Sequence, residues 1–457
     1  MKVRQKYLPI FWVLFGILLV WIHRFSSLQN PYFWDELGVY GNGVQHLYNH
    51  GISILASAMP PEISRGHPLL FYAFHALILK FFGNSFAVSH TFGLILSSAC
   101  LWATYLLAKE FVSKLMAALA VCLLASLNIF LAQSTLILPE MMVALLSTLA
   151  LLSYFKKKYI WVAVFLAVGV LIKESMIIAA GFLGIVYAWD LIRTKSLKEN
   201  IGTLFLFTIP LLVLLLFLLS QKIQNGWYFF PYHTDIVKEG ALSGFFERLE
   251  LHYNFIFYEQ GRNQWLIFAL IACLSIILTS SKRKVILLCC YFVYSLAFFS
   301  FAFYMDRYLL FLYPVLVVLV AQGLSFAFKR IPSLAAIAMS LFIASSIISL
   351  DDSKFRYDAS LAYEDVLFVH REAVFSLCKA EETEICCWAN FPINMSLWES
   401  SLGYIDVNCQ NKIRFAKNPN EANYVLLYDE DFKNESFSLL QSFDKNEAVI
   451  RLYKKTM

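Results

Sequence analysis

The residues most able to do chemistry are the ionisable ones that interrupt an otherwise apolar chain. Asp35 and Glu36 follow Trp34 directly. Arg65 and His67 precede an apolar run, and Glu140 follows Pro139. Lys173 and Glu174 break a long hydrophobic stretch, and Arg307 stands between Asp306 and Tyr308. Adjacent carboxylates point different ways on most backbones, so one can take a proton while the other orients it or holds a cation. An Arg grips a phosphate with two parallel hydrogen bonds, and a Lys offers it a compact charge. Asp35 as base, with Lys173 and Arg307 neutralising a departing phosphate, would serve group transfer from a lipid phosphate to a hydroxyl. Plainer readings stand beside these roles. Asp35–Glu36 and Glu140 also suit helix N-termini. Lys173–Glu174 also reads as a local ion pair worth under about 1 kcal/mol, and Arg307 as an interface anchor.

The elements that must position these groups are membrane helices. The 457 residues are 59% hydrophobic and 15% charged, with a mean hydropathy of +0.63. An average soluble domain is about one quarter charged, so disorder, a coiled coil and a secreted disulfide scaffold are excluded. The net charge of +5 conceals a division. Residues 351–457 carry 12 Lys/Arg against 18 Asp/Glu, whereas residues 1–350 carry 25 against 14. A basic apolar body, 1–350, therefore precedes a slightly acidic polar domain, 351–457.

A membrane helix needs roughly 20 apolar residues. Eleven runs qualify, near 8–25, 86–108, 115–133, 140–155, 159–172, 175–192, 201–220, 264–281, 285–303, 308–328 and 331–350. A shorter run at 67–82 carries His67, His75 and Lys80. Cytoplasmic loops collect Lys and Arg. With the N-terminus inside and 67–82 not spanning, the basic clusters at 2–6, 109–114, 156–158, 193–198, 282–284 and 329–330 all fall inside. If 67–82 spanned, most would fall outside. The run is therefore expected to form a surface helix in an outer loop, 26–85, which also holds the acidic pair. A second outer loop is expected at 221–262. No small-residue cleavage site precedes Asn30–Tyr32, so the first run is expected to be a retained span rather than a signal peptide.

The expected fold is an all-α polytopic membrane protein of about 11 transmembrane helices with outer surface helices. A small extracytoplasmic α/β domain closes it, with a helix near 359–379 and strands near EICCWA, YIDVN, YVLLYDE and AVIRLYKK. Cys378, Cys386, Cys387 and Cys409 fall there, where one or two disulfides are expected. The cytoplasmic loops are too short for a nucleotide site, and nothing points to nucleic acid. Compact loops and the lack of an organelle retention signal favour a bacterial cytoplasmic membrane.

With these residues in place, the chain resembles the C-type integral-membrane glycosyltransferases. The resemblance is to the protein O-mannosyltransferase and aminoarabinose transferase family, glycosyltransferase family 39. It is carried by NPYFWDELGVYGNG, by HPLLFYAFHALILKFFGNS, by LPEMMVALLSTLALLSYFKKKY with the KES turn at 173–175, and by DRYLLFLYPVLVVL, in that order over about residues 1–330. It implies inverting transfer of a sugar from a polyprenyl-phosphate donor to a protein, lipid or glycan acceptor outside the cytoplasm. It also implies Asp35 as base with Glu36 beside it, and Lys173, Arg307, Tyr308, Arg65 and His67 at the donor phosphate. Glu140 is then the second acidic site. Two departures from the family pattern, Leu69 for a second Pro and Glu140 for an Asp, leave open a divalent metal at Glu36 and Glu140. Two other readings compete. One is a polymerase or ligase using diphosphate donors, through Lys222, Lys238, Arg248 and Arg262. The other is a secondary transporter or flippase, which would place charges at the bilayer midplane within repeats.

Overall fold

The computed structural model describes residues 2–195, 197–240, 244–258, 263–278, 282–301, 305–350 and 354–456. Part of the segment 221–262, expected as a second outer loop, lies outside these residues, including Glu259 and Arg262. Most of the chain is helical, and a five-stranded sheet closes its C-terminal end. Among the described residues six helices are long and apolar enough to cross a membrane: Tyr7–Gln29, Phe86–Ala108, Glu174–Thr194, Asn200–Asn225, Arg283–Phe301 and Asp306–Ala327. The chain is a multi-pass membrane protein. Shorter apolar helices cover Leu70–Phe82, Lys114–Ala125, Glu140–Phe155, Tyr159–Ile172 and Pro332–Ile348.

Small residues let these helices approach closely, as membrane packing requires. The N-terminal helix packs on Lys114–Ala125, whose Ala117, Ala118, Ala120 and Ala125 are buried. A Cβ at Gly323 would stand 2.1 Å from the Phe268 carbonyl oxygen, so only glycine permits that crossing. The run at 115–133 is not one helix. It breaks between Lys114–Ala125 and Asn128–Gln133. Ser126 turns its hydroxyl back to the Leu123 carbonyl (2.8 Å), and Asn128 uses its side chain to accept the Leu361 N–H (2.7 Å). The break thus serves as a socket for the C-terminal part.

In the C-terminal sheet the strands are β1 (Ile385–Ala389), β2 (Ile413–Phe415), β3 (Tyr424–Tyr428), β4 (Phe437–Lys445) and β5 (Ala448–Lys455). Their order is β2-β1-β3-β5-β4. β1 runs parallel to β2 and β3, and β5 runs antiparallel to β3 and β4. Helix Tyr363–Cys378 covers β4 and β5. The strand expected at YIDVN does not form, because the Asp406 carboxylate accepts the Cys409 N–H (2.7 Å) and starts helix Val407–Lys412. β2 and β4 escaped the sequence reading, since one has three residues and the other is an exposed polar edge. One disulfide, Cys378–Cys409, ties the covering helix to that short helix, while Cys386 and Cys387 are free thiols.

The C-terminal part is seated on the helical body by polar contacts as well as apolar ones. Buried Arg24 donates to Glu364 (2.8 Å), Tyr363 and Thr135. Tyr404 donates to the Tyr32 carbonyl (2.8 Å). Gly403 sits beside it at φ +92°, where a Cβ would meet Phe86 at 2.6 Å and Pro31 at 2.8 Å. Gly403→Ala is therefore expected to cost about 1–3 kcal/mol through backbone strain alone. Thermal unfolding in detergent should show a midpoint several degrees lower; an unchanged midpoint would mean the seat is not formed as described.

Candidate active site

The segment between the N-terminal helix and helix Gly41–His50 brings its acidic pair to the body at a helix start. Trp34 adopts a left-handed conformation (φ 51°), and a tight helical turn at Glu36–Tyr40 leads into helix Gly41–His50. This geometry parts the two carboxylates. Glu36 is fully buried and is used up structurally. Its Oε1 accepts the Ile137 N–H (2.8 Å) and lies 3.2 Å from His90 Nε2, and its Oε2 accepts the Phe33 N–H (3.0 Å). Asp35 instead turns to Arg307 and keeps partial access to solvent.

Arg307 lies in the short 3-10 segment Asp306–Leu312, which leads into an apolar helix, and only 2% of its side chain is exposed. Its Nε donates to Glu140 Oε1 (3.1 Å), one terminal nitrogen donates to Asp35, and the other donates to Asp358. Glu140 opens its helix immediately after Pro139, and the same Oε1 accepts from Lys173 Nζ at 2.6 Å. Lys173 is extended (φ −155°, ψ 131°) between helix Tyr159–Ile172 and the turn that follows. Its ammonium stands 3.9 Å from the centre of the Tyr308 ring, a cation–π contact. Five separate segments thus place Asp35, Glu140, Lys173, Arg307, Tyr308 and Asp358 in one cluster.

Lys173 and Glu174 do not pair with each other as the plainer sequence reading had it. Glu174 holds His67, whose Nδ1 lies 3.0 and 3.1 Å from its two oxygens. The His67 ring stacks on Tyr40 and approaches His233 at 5.3 Å. Burial, with His67 nearby, pushes the His233 imidazole down to about 4. Arg65 is the left-handed C-cap of helix Pro61–Ser64 (φ 46°) and lies close enough to favour the ionised form of Asp35. Arg65 and His67 therefore border the cluster rather than join it.

The two aspartates on Arg307 differ electrostatically. Burial disfavours ionised Asp35, but the Arg307 guanidinium, aided by Arg65 and Lys173, outweighs it and holds the carboxyl below the usual carboxylate range. At Asp358 burial wins over Arg307, and with Asp35 and Glu140 close by the carboxyl is pushed up to about 7. Asp358 was missed from the sequence. It lies in the polar C-terminal part, where one more acid carries no signal.

Glu36 already accepts bonds on both oxygens, and Glu140 Oε1 is held by two cations. Among the described residues no three His, Cys, Asp or Glu side chains are grouped to hold a metal ion. Two cations of the segment 221–262 also have partners: Lys222 donates to the Gly226 carbonyl (2.6 Å) and Arg248 to the Ser300 carbonyl (2.8 Å). Above the cluster Trp34 packs against Tyr357 (4.9 Å), Phe391 (5.0 Å) and Phe355 (6.2 Å). Phe355 also lines a cavity of about 880 Å3 with Arg24, Lys354, Glu364 and Lys445.

This fold is the GT-C fold of the C-type integral-membrane glycosyltransferases. ArnT from Cupriavidus metallidurans bound to undecaprenyl phosphate superposes with a TM-score of 0.59 at 11% identity, covering 96% of this chain and 98% of that one. Its apo form gives 0.60 at 10% identity, with 96% and 97% covered. The apo oligosaccharyltransferase of Archaeoglobus fulgidus gives 0.51 at 11% identity, with 93% and 66% covered. In sequence, the profile of the family described as dolichyl-phosphate-mannose-protein mannosyltransferase matches residues 66–220, which include His67, Glu140 and Lys173. A search of curated proteins returned no match.

The shared carboxylate is the most exposed to test. Glu140→Ala leaves two buried cations facing each other and is expected to cost about 3–5 kcal/mol. Its thermal midpoint in detergent should drop sharply, and adding Lys173→Met should restore part of the loss. A single variant as stable as the parent would deny the pairing.

Proposed function

We propose that this protein is a membrane glycosyltransferase that moves a sugar from a polyprenyl-phosphate donor to an acceptor hydroxyl on the extracytoplasmic side, with inversion. The observation that carries the reading is the single cluster in which a partly accessible carboxylate, Asp35, meets the cations Arg307 and Lys173. Asp35 takes the proton of the acceptor hydroxyl as its oxygen attacks the sugar C1. The bond from C1 to the phosphate oxygen breaks, and the electron pair leaves with the polyprenyl phosphate. Lys173 and Arg307 meet that growing charge, in a site dry enough to strengthen the interaction. Glu36 acts as a positioning residue: it pins the helix start that presents Asp35. Tyr308 keeps Lys173 in place, and Arg65 and His67 flank the donor path.

The likeness in fold to an ArnT bound to undecaprenyl phosphate supports a polyprenyl-phosphate partner, and the mannosyltransferase profile supports a monophosphate sugar donor. Lys222 and Arg248 donate to backbone carbonyls of Gly226 and Ser300, which weighs against a diphosphate donor. In this reading about 11 helices span, Leu70–Phe82 lies at the outer surface, and residues 351–457 stand outside with a disulfide that suits an oxidising compartment.

Asp35→Asn, purified into lipid and supplied with radiolabelled polyprenyl-monophosphate sugars, should lose about 10²–10⁴ in the rate of polyprenyl phosphate release. It should still bind the donor. Full turnover in this variant would remove Asp35 as the base. Release only from diphosphate-linked donors would move the protein to the polymerase class.

A further inference from the structure

The charge count in the cluster does not close. Lys173 and Arg307 face Asp35, Glu140 and Asp358, and every guanidinium nitrogen of Arg307 already holds a carboxylate oxygen. If a donor phosphate is to be gripped by Arg307, one carboxylate must give way. Glu140 also holds Lys173, and Asp35 is the base on the reading above. Asp358 remains, and it alone comes from the connection between the helical body and the C-terminal sheet.

That connection is built as a plug. A tight turn carries Asp358: the Arg356 N–H donates to Ser360 Oγ (3.1 Å) and the Ala359 N–H to the Arg356 carbonyl (3.0 Å). Tyr357 is held in the left-handed region at φ 52°, uncommon for an aromatic residue. Its ring leans on Trp34, next to Asp35. Beneath, Gln133 donates to the Asp358 carbonyl at 2.6 Å, and Asn128 holds Leu361. The side chain meets the guanidinium while its own peptide is clamped to helix Asn128–Gln133.

Resting on the glycosyltransferase reading, we propose that Asp358 is the resting occupant of the donor-phosphate subsite, and that a phosphate monoester binds Arg307 by displacing this carboxyl. The residue thereby sets donor affinity without entering the chemistry. The groups facing it are Arg307, Asp35 and Glu140, with Lys173 behind Glu140. Because its carboxyl is pushed up to about 7, protonation frees the guanidinium as pH falls through neutrality. With Asp358 neutral, two cations face two carboxylates, and the count closes.

The test is undecaprenyl phosphate binding to the full chain in lipid nanodiscs, parent against Asp358→Asn, from pH 6 to 8. The phosphate also titrates, with its second pKa near about 6. The ratio of the two affinities at each pH cancels that effect. Asp358→Asn is expected to bind about tenfold tighter at pH 8, with the ratio falling towards about 1 at pH 6. Gln133→Ala, which loosens the clamp and keeps every charge, should tighten binding about two- to threefold and serves if the first variant does not fold. A ratio of one or less at pH 8, a ratio that does not change with pH, or unchanged affinity in Gln133→Ala would overturn the proposal. Binding by neither parent nor variants would instead overturn the donor reading, and this inference with it.

Discussion

A guanidinium buried to 2% exposure is the constraint on which the arrangement depends. Taking such a charge out of water costs several kcal/mol, and only well-placed carboxylates recover it. Arg307 finds them at sequence separations of 272, 167 and 51 residues. One ion therefore fixes the turn at Asp35, the start of helix Glu140–Phe155 and the connection to the C-terminal sheet against one another. Apolar helix faces slide easily past their neighbours in lipid, where the hydrophobic effect does not set their register. A three-way charge contact does set it.

The site was legible in the sequence to the extent that charge is rare in the body. Asp35, Glu140, Lys173 and Arg307 each interrupt apolar sequence, and ionisable groups there are expensive unless used. Their partners were less legible. Lys173 and Glu174 are neighbours, yet the extended backbone at Lys173 sends one side chain to Glu140 and leaves the other for His67. Asp35 and Glu36 look equivalent as letters. The turn at Trp34 gives one to the cluster and the other to three hydrogen bonds of the core. Asp358 gave no signal, because its meaning comes from a contact between distant segments.

The fold followed a similar division. Hydrophobic runs located the helices well, since length and apolarity are local properties. The break within 115–133 was not visible, because it answers to Leu361, far away in the chain. In the C-terminal sheet the buried strands β1, β3 and β5 carried a pattern. The exposed edge β4 and the three-residue β2 are held by pairing rather than by composition.

The two cations are not equivalent, and the difference bears on how a phosphate would be handled. Arg307 is planar, binds through a rigid fork and is neutralised by three carboxylates, so it acts first as framework. Lys173 is a compact charge neutralised by one carboxylate and a ring face. A π face stabilises an ammonium without satisfying its hydrogen-bond donors. Lys173 is therefore the less saturated cation, and it can turn to a new anion without dismantling the fold. Arg307 can do so only by exchanging one carboxylate for another anion. On the proposed chemistry the lysine meets the departing phosphate, while the arginine couples its arrival to the position of the C-terminal part.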